Sequence, residues 1–289
     1  MGVGLVSEKS GSKLRDSGLQ RRAAGSRKCG GGGFADIDQF RNLCNDDIMP
    51  ISLASIIVAA GAGSRLGAGI PKAYITLGNK PLYQWSLEQF DSHEATSQGI
   101  IVVPQARTHA TDSHLATLGS KHAWNIVAGG EHRWQSTLNG VAASDDSCEW
   151  VMIHDAARPF VNHEIIDALL QKRHSFKSAI IATTVVDTVR RYCGDACTET
   201  LDRTELARVG TPQLFHRKAL LDAFSRAAHM HPVPTDEAML MEKIGHTTGI
   251  AFCNSLNFKI TTPTDLAIAE ALCESKATLL LGGDRPRLH

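Results

Sequence analysis

Short apolar runs alternate with segments of helical periodicity from about residue 52 onward. The first run, Ile56 to Ala60, is too short for a helix and is typical of a strand that is covered on both faces, as in a parallel sheet. Apolar residues three and four positions apart predict helices at residues 134–142 and 165–170. Further short runs predict four more strands, at residues 99–103, 125–128, 150–154 and 178–184.

This alternation predicts an α/β fold, because right-handed strand-helix-strand crossovers build a mostly parallel, twisted sheet with helices on both faces. We expect a single Rossmann-like domain over residues 51–276, with a disordered extension at 1–50 and a flexible tail at 277–289. Ligands of such sheets bind beyond the carboxyl ends of the strands. Polar residues that follow the strands are therefore the first candidates for a functional site.

The first 50 residues differ in composition from the rest of the chain. They are rich in Gly, Ser and Arg, and nine of the 25 glycines lie before Phe34. A segment of this kind lacks the apolar residues that a core requires, so we expect it to be disordered. It is interpreted as an extension upstream of a start near Met49, in a cytoplasmic protein; the alternative is a transit peptide, which would direct the protein to a plastid.

The overall composition excludes several classes of function. The formal net charge is zero, so no global field attracts nucleic acid or an anionic membrane. No apolar run reaches the length of a transmembrane helix. The seven cysteines follow neither a disulfide framework nor a zinc pattern, which favours reduced thiols in a reducing compartment.

A glycine-rich loop that carries two cations, Arg65 and Lys72, follows the first predicted strand. Its glycines allow backbone N–H groups to approach an anion closely. The loop departs from the dinucleotide fingerprint because Leu66 stands where the third glycine is required, and from the P-loop because its lysine follows Pro71. Taken alone, it is compatible with either phosphate binding or an ordinary turn.

Two polar clusters follow later strands. The segment 129–136 begins with two glycines and enters a helix whose N-terminus attracts anions, although Glu131 and Arg133 are here interpreted as a capping acid and a solvated cation. Asp155 ends the strand at 150–154, where a carboxylate can hold Mg²⁺ against phosphate oxygens or simply cap a turn. Arg158 offers a bidentate fork for a phosphate.

The remaining candidates are a histidine and a lysine. His154 is interpreted as a packing residue because it belongs to the apolar strand. Lys259 lies on a short strand-like piece just before a helix start, where Thr262 is the expected N-cap, Pro263 the first helical residue and Asp265 the N3 residue. The lysine is either an exposed charge or a third cation that points into the site.

Seven motifs occur in a fixed order along the chain: Ala-Ala-Gly-x-Gly-x-Arg…Pro-Lys (59–72), Gly-Gly-Glu-x-Arg-x-x-Ser (129–136), His-Asp-Ala-Ala-Arg-Pro (154–159), Asp-Thr (187–188), Thr-Pro-Gln (211–213), Thr-Asp-Glu-Ala (235–238) and Asn-x-Lys-Ile-Thr-x-Pro-x-Asp-Leu (257–266). Each motif is weak by itself, but their joint order and spacing are specific. From about residue 54 to about residue 275, the chain resembles the family of 2-C-methyl-D-erythritol 4-phosphate cytidylyltransferases.

The resemblance implies transfer of CMP from CTP to 2-C-methyl-D-erythritol 4-phosphate in the non-mevalonate isoprenoid pathway. The products would be 4-diphosphocytidyl-2-C-methyl-D-erythritol and pyrophosphate. It also implies Mg²⁺ or another divalent cation as cofactor, and a homodimer in which a β-arm reaches over the partner. The arm is expected at about residues 185–208. Apart from CTP, the polyol phosphate and the second subunit, no nucleic acid or membrane is an expected partner.

The resemblance further implies roles for individual residues. Arg65, Lys72 and Lys259 would be catalytic, and Asp155 would bind the metal ion. The polyol phosphate would be bound by Arg158, Thr188, Arg203 and Thr211, some of them from the neighbouring subunit. CTP would be bound by Ala59, Ala60, Gly61, Gly63, Gly129, Gly130, Glu131, Ser136 and Ala156.

Two residues depart from the family pattern. Ala73 stands where the family commonly has Gln, and Glu131 stands where Asp is frequent. Three alternatives remain open at this stage. They are a cytidylyltransferase for another polyol phosphate such as ribitol 5-phosphate, an NAD-binding oxidoreductase, and a non-catalytic subunit that retains the fold. Ala157 favours methylerythritol over ribitol, and the retained charged residues argue against the non-catalytic subunit.

Overall fold

The computed structural model describes residues 51–61, 70–227 and 236–275. The expectations for the extension at 1–50, for Gly63 and Arg65, and for the tail at 277–289 concern positions outside the described residues. Within the described part of the chain, no helix is long and apolar enough to cross a lipid bilayer.

The described residues form eleven strands and seven α-helices. The strands are β1 (Leu53–Val58), β2 (Thr76–Leu77), β3 (Lys80–Pro81), β4 (Thr96–Val103), β5 (Trp124–Ala128), β6 (Trp150–Asp155), β7 (Ser178–Thr184), β8 (Arg190–Cys193), β9 (Ala196–Thr200), β10 (Ala207–His216) and β11 (Thr248–Phe252). The helices are α1 (Leu82–Ser92), α2 (Thr108–Leu115), α3 (Arg133–Ala142), α4 (His163–Lys172), α5 (Arg217–Ala227), α6 (Glu237–Lys243) and α7 (Pro263–Glu274).

Seven of the strands form one sheet in the order β11-β7-β10-β6-β1-β4-β5. Strand β1 pairs in parallel with β4 and β6, β4 with β5, and β7 with β11, whereas β10 runs antiparallel between β6 and β7. The prediction of a mostly parallel sheet with helices on both faces is confirmed. All five predicted strands are present with boundaries shifted by at most three residues, and the two predicted helices are α3 and α4.

The core lies on both faces of the sheet because successive residues of β1 point to opposite sides. Leu53 and Ile57 pack with α1 and α4, while Ala54 and Ile56 pack with α3, α5 and α6. Helix α3 approaches β1 and β4 closely: a Cβ on Gly140 would lie 2.8 Å from the side chains of Ile56 and Val102. This approach brings the N-terminus of α3 to the carboxyl ends of the strands.

The predicted arm contains a β-hairpin. Strands β8 and β9 pair antiparallel, and Gly194, with φ of 56°, forms the turn between them. Every residue of both strands is exposed. The last two residues of the predicted arm, 207 and 208, instead begin β10 and pair with β7. The role of the hairpin in dimerisation stays a prediction.

Candidate active site

A cavity of about 350 Å³ lies beyond the carboxyl ends of β1 and β6. Its position agrees with the general rule for open α/β sheets. Three segments that are far apart in sequence meet here: the end of β1, the N-terminus of α3 and the end of β6. Its lining includes ten of the residues predicted for the site, namely Ala59, Ala60, Gly61, Lys72, Gly130, Glu131, Ser136, Asp155, Ala156 and Lys259.

Close packing joins the loop after β1 to the loop after β5. A Cβ on Gly129 would lie 2.4 Å from the Cβ atom of Ala60 and 2.9 Å from Ser136 Oγ, so only glycine fits at this position. Ser136 Oγ accepts a hydrogen bond from the N–H of Gly130 at 3.1 Å. Gly130 and Ser136 therefore form one wall of the cavity, and Gly129 packs this wall against Ala60.

Lys72 begins a short 3₁₀ helix, Lys72–Tyr74, on another side of the cavity. The lysine is only 8% exposed. The helix is anchored by Tyr74, whose hydroxyl lies 2.8 Å from Thr111 Oγ1 on α2, and by its packing against α1. A rigidly supported ammonium group at a cavity wall is well suited to bind an anion.

Asp155 is the centre of charge in the cavity. Lys259 Nζ donates to its Oδ2 at 2.8 Å, and Arg133 Nη2 lies 3.3 Å from its Oδ1. Burial would raise the pKa of Asp155, but Arg133 and Lys259 together hold this pKa well below its usual range. The carboxylate is therefore ionised throughout the neutral pH range.

Arg133 is not the solvated cation of the sequence interpretation. Its Nη1 donates to both oxygens of Glu237, at 2.7 and 2.9 Å, and Glu237 is 2% exposed. Burial would lower the pKa of Arg133, yet Glu237 and Asp155 raise it. Glu131 is also not a cap: the N–H of His132 instead donates to Gln135 Oε1 at 2.9 Å. Glu237 was missed, although it belongs to the motif at 235–238.

A second cavity of about 570 Å³ lies beside the first, and Lys259 lines both. Arg158 enters this second cavity, where its Nη1 donates to the carbonyl of Asn257 at 2.9 Å. Asn257 Nδ2 in turn donates to the carbonyl of Thr211 at 2.7 Å. Among the described residues, the buried Arg158 Nε and Asn257 Oδ1 have no hydrogen-bond partner. An unpaired buried polar atom requires an explanation, and a bound ligand that supplies the missing partner is one.

His154 is a packing residue, as predicted. It is fully buried, and its ring packs edge-on against Phe90. Its Nε2 donates to the carbonyl of Arg158 at 3.0 Å, which leaves Nδ1 to accept from the Thr211 hydroxyl at 3.4 Å. Burial lowers the pKa of His154 to about 4, so the ring is neutral near pH 7.

The other predicted residues occupy different places. Thr188 and Arg203 are exposed and line neither cavity of their own protomer, and Arg203 Nη1 donates to the carbonyl of Val186. Thr211 is 5% exposed, and its hydroxyl accepts from the N–H of Asp155 at 3.0 Å. Thr211 therefore fixes the backbone of Asp155 by this hydrogen bond.

The helix start near Lys259 is confirmed. Thr262 Oγ1 accepts from the N–H of Asp265 at 3.2 Å, and Asp265 Oδ2 accepts from the N–H of Thr262 at 2.8 Å. Hydrogen bonds from Thr261 and Thr262 lower the pKa of Asp265 to about 2. The prediction of a strand-like piece around Lys259 is wrong, since residues 253–261 are irregular.

The donor set around Asp155 fits a magnesium ion that is shared with a substrate. Within the described ranges, no group of three or more His, Cys, Asp and Glu side chains could hold a metal ion. Glu237 is engaged by Arg133, so Asp155 and Glu131 are the carboxylates that line the cavity. Mg²⁺ commonly uses one or two carboxylates and takes its other ligands from water and phosphates. A single carboxylate is therefore sufficient only when phosphate oxygens are also present.

Comparison with known proteins places this geometry in a family. The family model for 2-C-methyl-D-erythritol 4-phosphate cytidylyltransferase matches residues 53–275. A protein of that name from Alkaliphilus metalliredigens is 34% identical, and the alignment covers 76% of this chain and 92% of the relative. Another from Actinobacillus pleuropneumoniae serotype 7 is 39% identical over 77% of this chain and 96% of the relative.

The fold agrees with solved structures of the same name. The structure of the Francisella tularensis protein is 28% identical, with a TM-score of 0.64, and the match covers 76% of this chain and 99% of that protein. These matches decide against an NAD-binding oxidoreductase and favour methylerythritol phosphate over ribitol phosphate. The chain belongs to the 2-C-methyl-D-erythritol 4-phosphate cytidylyltransferase family.

Proposed function

We propose that the two neighbouring cavities hold the two substrates of the family's reaction. The chain is a nucleotidyltransferase, and its reaction is the transfer of CMP from CTP to 2-C-methyl-D-erythritol 4-phosphate. The observation that supports this arrangement most strongly is the position of Lys259. It lines both cavities and donates to Asp155 at 2.8 Å, so the junction between the cavities is where two phosphate groups would meet.

The first cavity is assigned to CTP. The loop after β1, with Ala59, Ala60, Gly61 and Gly63, would bind the triphosphate through its backbone N–H groups, with Arg65 and Lys72 as its cations. The cytosine and ribose would be framed by Gly129, Gly130, Glu131 and Ser136, and Ala156 would leave the approach to Asp155 open.

The second cavity is assigned to the polyol phosphate. Arg158 and Lys259 would bind its phosphate, and the unpaired Arg158 Nε gives a buried donor for an oxygen atom. A terminal oxygen of this phosphate attacks the α-phosphorus of CTP and forms a new P–O bond. The bond from that phosphorus to the bridging oxygen then breaks, and pyrophosphate leaves with the electron pair.

The reaction requires no general base from the protein. A phosphate monoester has its second pKa at about 6, so it is mainly a dianion near neutral pH. His154 could not act as a base in any case, because it is fully buried. Catalysis then depends on alignment of the two phosphates and on neutralisation of the charge that develops at the α-phosphate. Arg65, Lys72 and Lys259 are proposed to supply that neutralisation.

Asp155 is proposed to hold a divalent cation, most simply Mg²⁺. When bound, such an ion would supply positive charge that polarises the phosphate under attack. Asp155 is suited to this role because it is ionised and lines the cavity. In the described structure, Arg133 and Lys259 balance its charge.

A homodimer is proposed in which the arm completes the site of the partner. Thr188 and Arg203 lie on the arm and line neither cavity of their own protomer, so their proposed contact with the polyol phosphate requires a second subunit. Val186 and Tyr192, 70% and 75% exposed, provide apolar surface on the arm for such a contact. The cytoplasmic location also stays a prediction.

The proposal is tested by the choice of polyol phosphate. The purified protein should convert CTP and 2-C-methyl-D-erythritol 4-phosphate into a cytidine diphosphate ester, seen as two coupled phosphorus signals by ³¹P NMR. Ribitol 5-phosphate at the same concentration is the matched control and should give little product. Equal or faster conversion of ribitol 5-phosphate would contradict the assignment of the second cavity.

A further inference from the structure

The second cavity contains a cation that lies outside all seven motifs. Arg208 is on β10 and lines this cavity together with Arg158 and Lys259. It lies two residues before Gly210 on this strand. A Cβ on Gly210 would lie 3.2 Å from Arg158 Nη1 and 3.3 Å from Arg158 Cζ. The guanidinium of Arg158 therefore lies directly over β10, the strand that carries Arg208.

The positive charges of Arg158 and Arg208 are not matched by acidic residues in the lining of the second cavity. The acidic residue in the lining is Asp265, which already accepts three hydrogen bonds from Thr261 and Thr262 at 2.7 to 2.8 Å. Lys259 is paired with Asp155. Burial lowers the pKa of Arg158, and the positive charge of Arg208 lowers it further, while Asp155 opposes both effects. An anion between the two guanidinium groups would relieve this repulsion.

The structure shows donors that such an anion could use. The guanidinium of Arg208 is exposed and, among the described residues, has no hydrogen bond or ion pair. Arg158 has a buried Nε without a partner. Two arginines that line one cavity, each with a planar fork of donors, are well suited to bind a phosphate dianion.

We propose that Arg208 is a substrate-binding residue that holds the phosphate of the polyol phosphate together with Arg158. This inference rests on the proposed function, because it takes the second cavity to be the polyol phosphate site. Two forks on the phosphate restrict its rotation, so that one terminal oxygen is directed at the α-phosphorus of CTP. Arg208 thereby acts on the binding and orientation of one substrate only.

The test compares Arg208→Gln with Arg208→Lys in steady-state kinetics. Arg208→Gln should raise KM for methylerythritol phosphate about 10-fold or more, because it removes charged hydrogen-bond donors from the substrate phosphate. KM for CTP should stay within about twofold of the wild-type value, because Arg208 does not line the CTP cavity. The KM of Arg208→Lys for methylerythritol phosphate should lie between those of the wild type and Arg208→Gln, since lysine keeps the charge but lacks the planar fork of donors.

Inorganic phosphate separates recognition of the phosphate from recognition of the polyol. It should inhibit competitively against methylerythritol phosphate, and Arg208→Gln should raise its inhibition constant by about the same factor as KM. The matched control is Arg226→Gln on α5. This substitution removes an exposed arginine that is paired with Asp222 on the same helix, and it should change neither KM for methylerythritol phosphate nor the inhibition constant of phosphate.

Each outcome has a distinct meaning. A wild-type protein that releases no pyrophosphate with methylerythritol phosphate would refute the proposed function itself. An active wild type with an unchanged KM in Arg208→Gln would refute only the role of Arg208. The role of Arg208 in phosphate binding would also be refuted if KM rises while inhibition by phosphate is unaltered, because Arg208 would then contact the polyol. It would likewise be refuted if the oligomeric state of Arg208→Gln changes, because Arg208 would then belong to the subunit interface.

Discussion

At the scale of single residues, the end of β6 directs neighbouring side chains to three different environments. His154 points into the core, Asp155 into the first cavity and Arg158 into the second. The hydroxyl of Thr211 links the first two, since it accepts from the N–H of Asp155 and contacts the ring of His154. Residues 154–158 therefore contribute a packing residue to the core, a carboxylate to the first cavity and a guanidinium to the second.

Lys72 provides a direct test of the catalytic assignment. Lys72→Ala should lower kcat by about 10² to 10³, the usual cost of removing one preorganised donor to a transition state. The protein should remain folded, because Lys72 lies at a cavity wall and its short helix is held by Tyr74 and by packing against α1. From the sequence alone, the same result is expected for Arg65→Ala.

The control for this experiment is Lys177→Ala. Lys177 is exposed and directly precedes β7, at the end of the strand opposite to its carboxyl end. Its removal should leave kcat unchanged. Near-normal turnover of purified, folded Lys72→Ala would contradict the role given to Lys72.

His154 predicts a defined loss of stability in acid. Its pKa is lowered to about 4 in the folded protein, against about 6.5 in the unfolded chain. The unfolded state therefore takes up the proton first as the pH falls. The contribution of His154 to the free energy of unfolding is fully present above about pH 6.5 and falls by about 1.4 kcal/mol per pH unit toward pH 4. Between pH 7 and pH 5 the expected contribution is about 2 kcal/mol.

The measurement is urea unfolding of the wild type and of His154→Gln at both pH values. Glutamine can still donate to the carbonyl of Arg158 but does not titrate. The variant should be less stable at pH 7 and should lose about 2 kcal/mol less than the wild type on acidification. Parallel loss in both proteins would show that His154 does not carry this pH dependence.

At the scale of elements, β10 and β11 are the two strands of the seven-stranded sheet that the sequence pattern does not predict. Strand β10 contains Gly210 and Pro212, residues that normally argue against a central strand, and its pairing with β7 is irregular between Val209 and Gln213. The five predicted strands were recognisable because they contain short apolar runs. Arg133 and Glu237 were missed for another reason: 104 residues separate them, and only the fold brings α6 to α3.

The ion pair between α3 and α6 predicts a cost for losing one partner. Glu237→Gln should lower the free energy of unfolding by about 2 kcal/mol, because Glu237 is almost fully buried and Arg133 would keep only the weaker contact with Asp155. The exposed pair of Arg226 with Asp222 is the matched control, and Asp222→Asn should cost only a few tenths of a kcal/mol. Urea unfolding of both variants measures the difference, and equal costs would contradict the account.

At the scale of the whole molecule, the proposed site is divided between subunits. The arm residues Thr188 and Arg203 and the cavity residue Lys72 would then act in one site from different chains. No pattern within a single chain can show this, because the relevant distances lie between copies. The sequence predicted the cavity residues from motifs at strand ends, whereas the arm could be assigned only by family resemblance.

Mixing two inactive variants tests this division. Arg203→Ala and Lys72→Ala should each be nearly inactive as homodimers. In a hybrid dimer, the chain with intact Lys72 would receive an intact Arg203 from its partner, so one of the two sites is complete. With random exchange of subunits, about one quarter of wild-type activity should return. Failure to recover activity, with hybrid dimers demonstrated by mass spectrometry, would mean that the arm acts on its own chain.

The substrate specificity is measured by pyrophosphate release with CTP, ATP, GTP and UTP, each with and without 2-C-methyl-D-erythritol 4-phosphate. We expect rapid release only when CTP and the polyol phosphate are both present with a divalent cation. Release that does not depend on the polyol phosphate, or that is faster with a purine nucleotide than with CTP, would contradict this expectation.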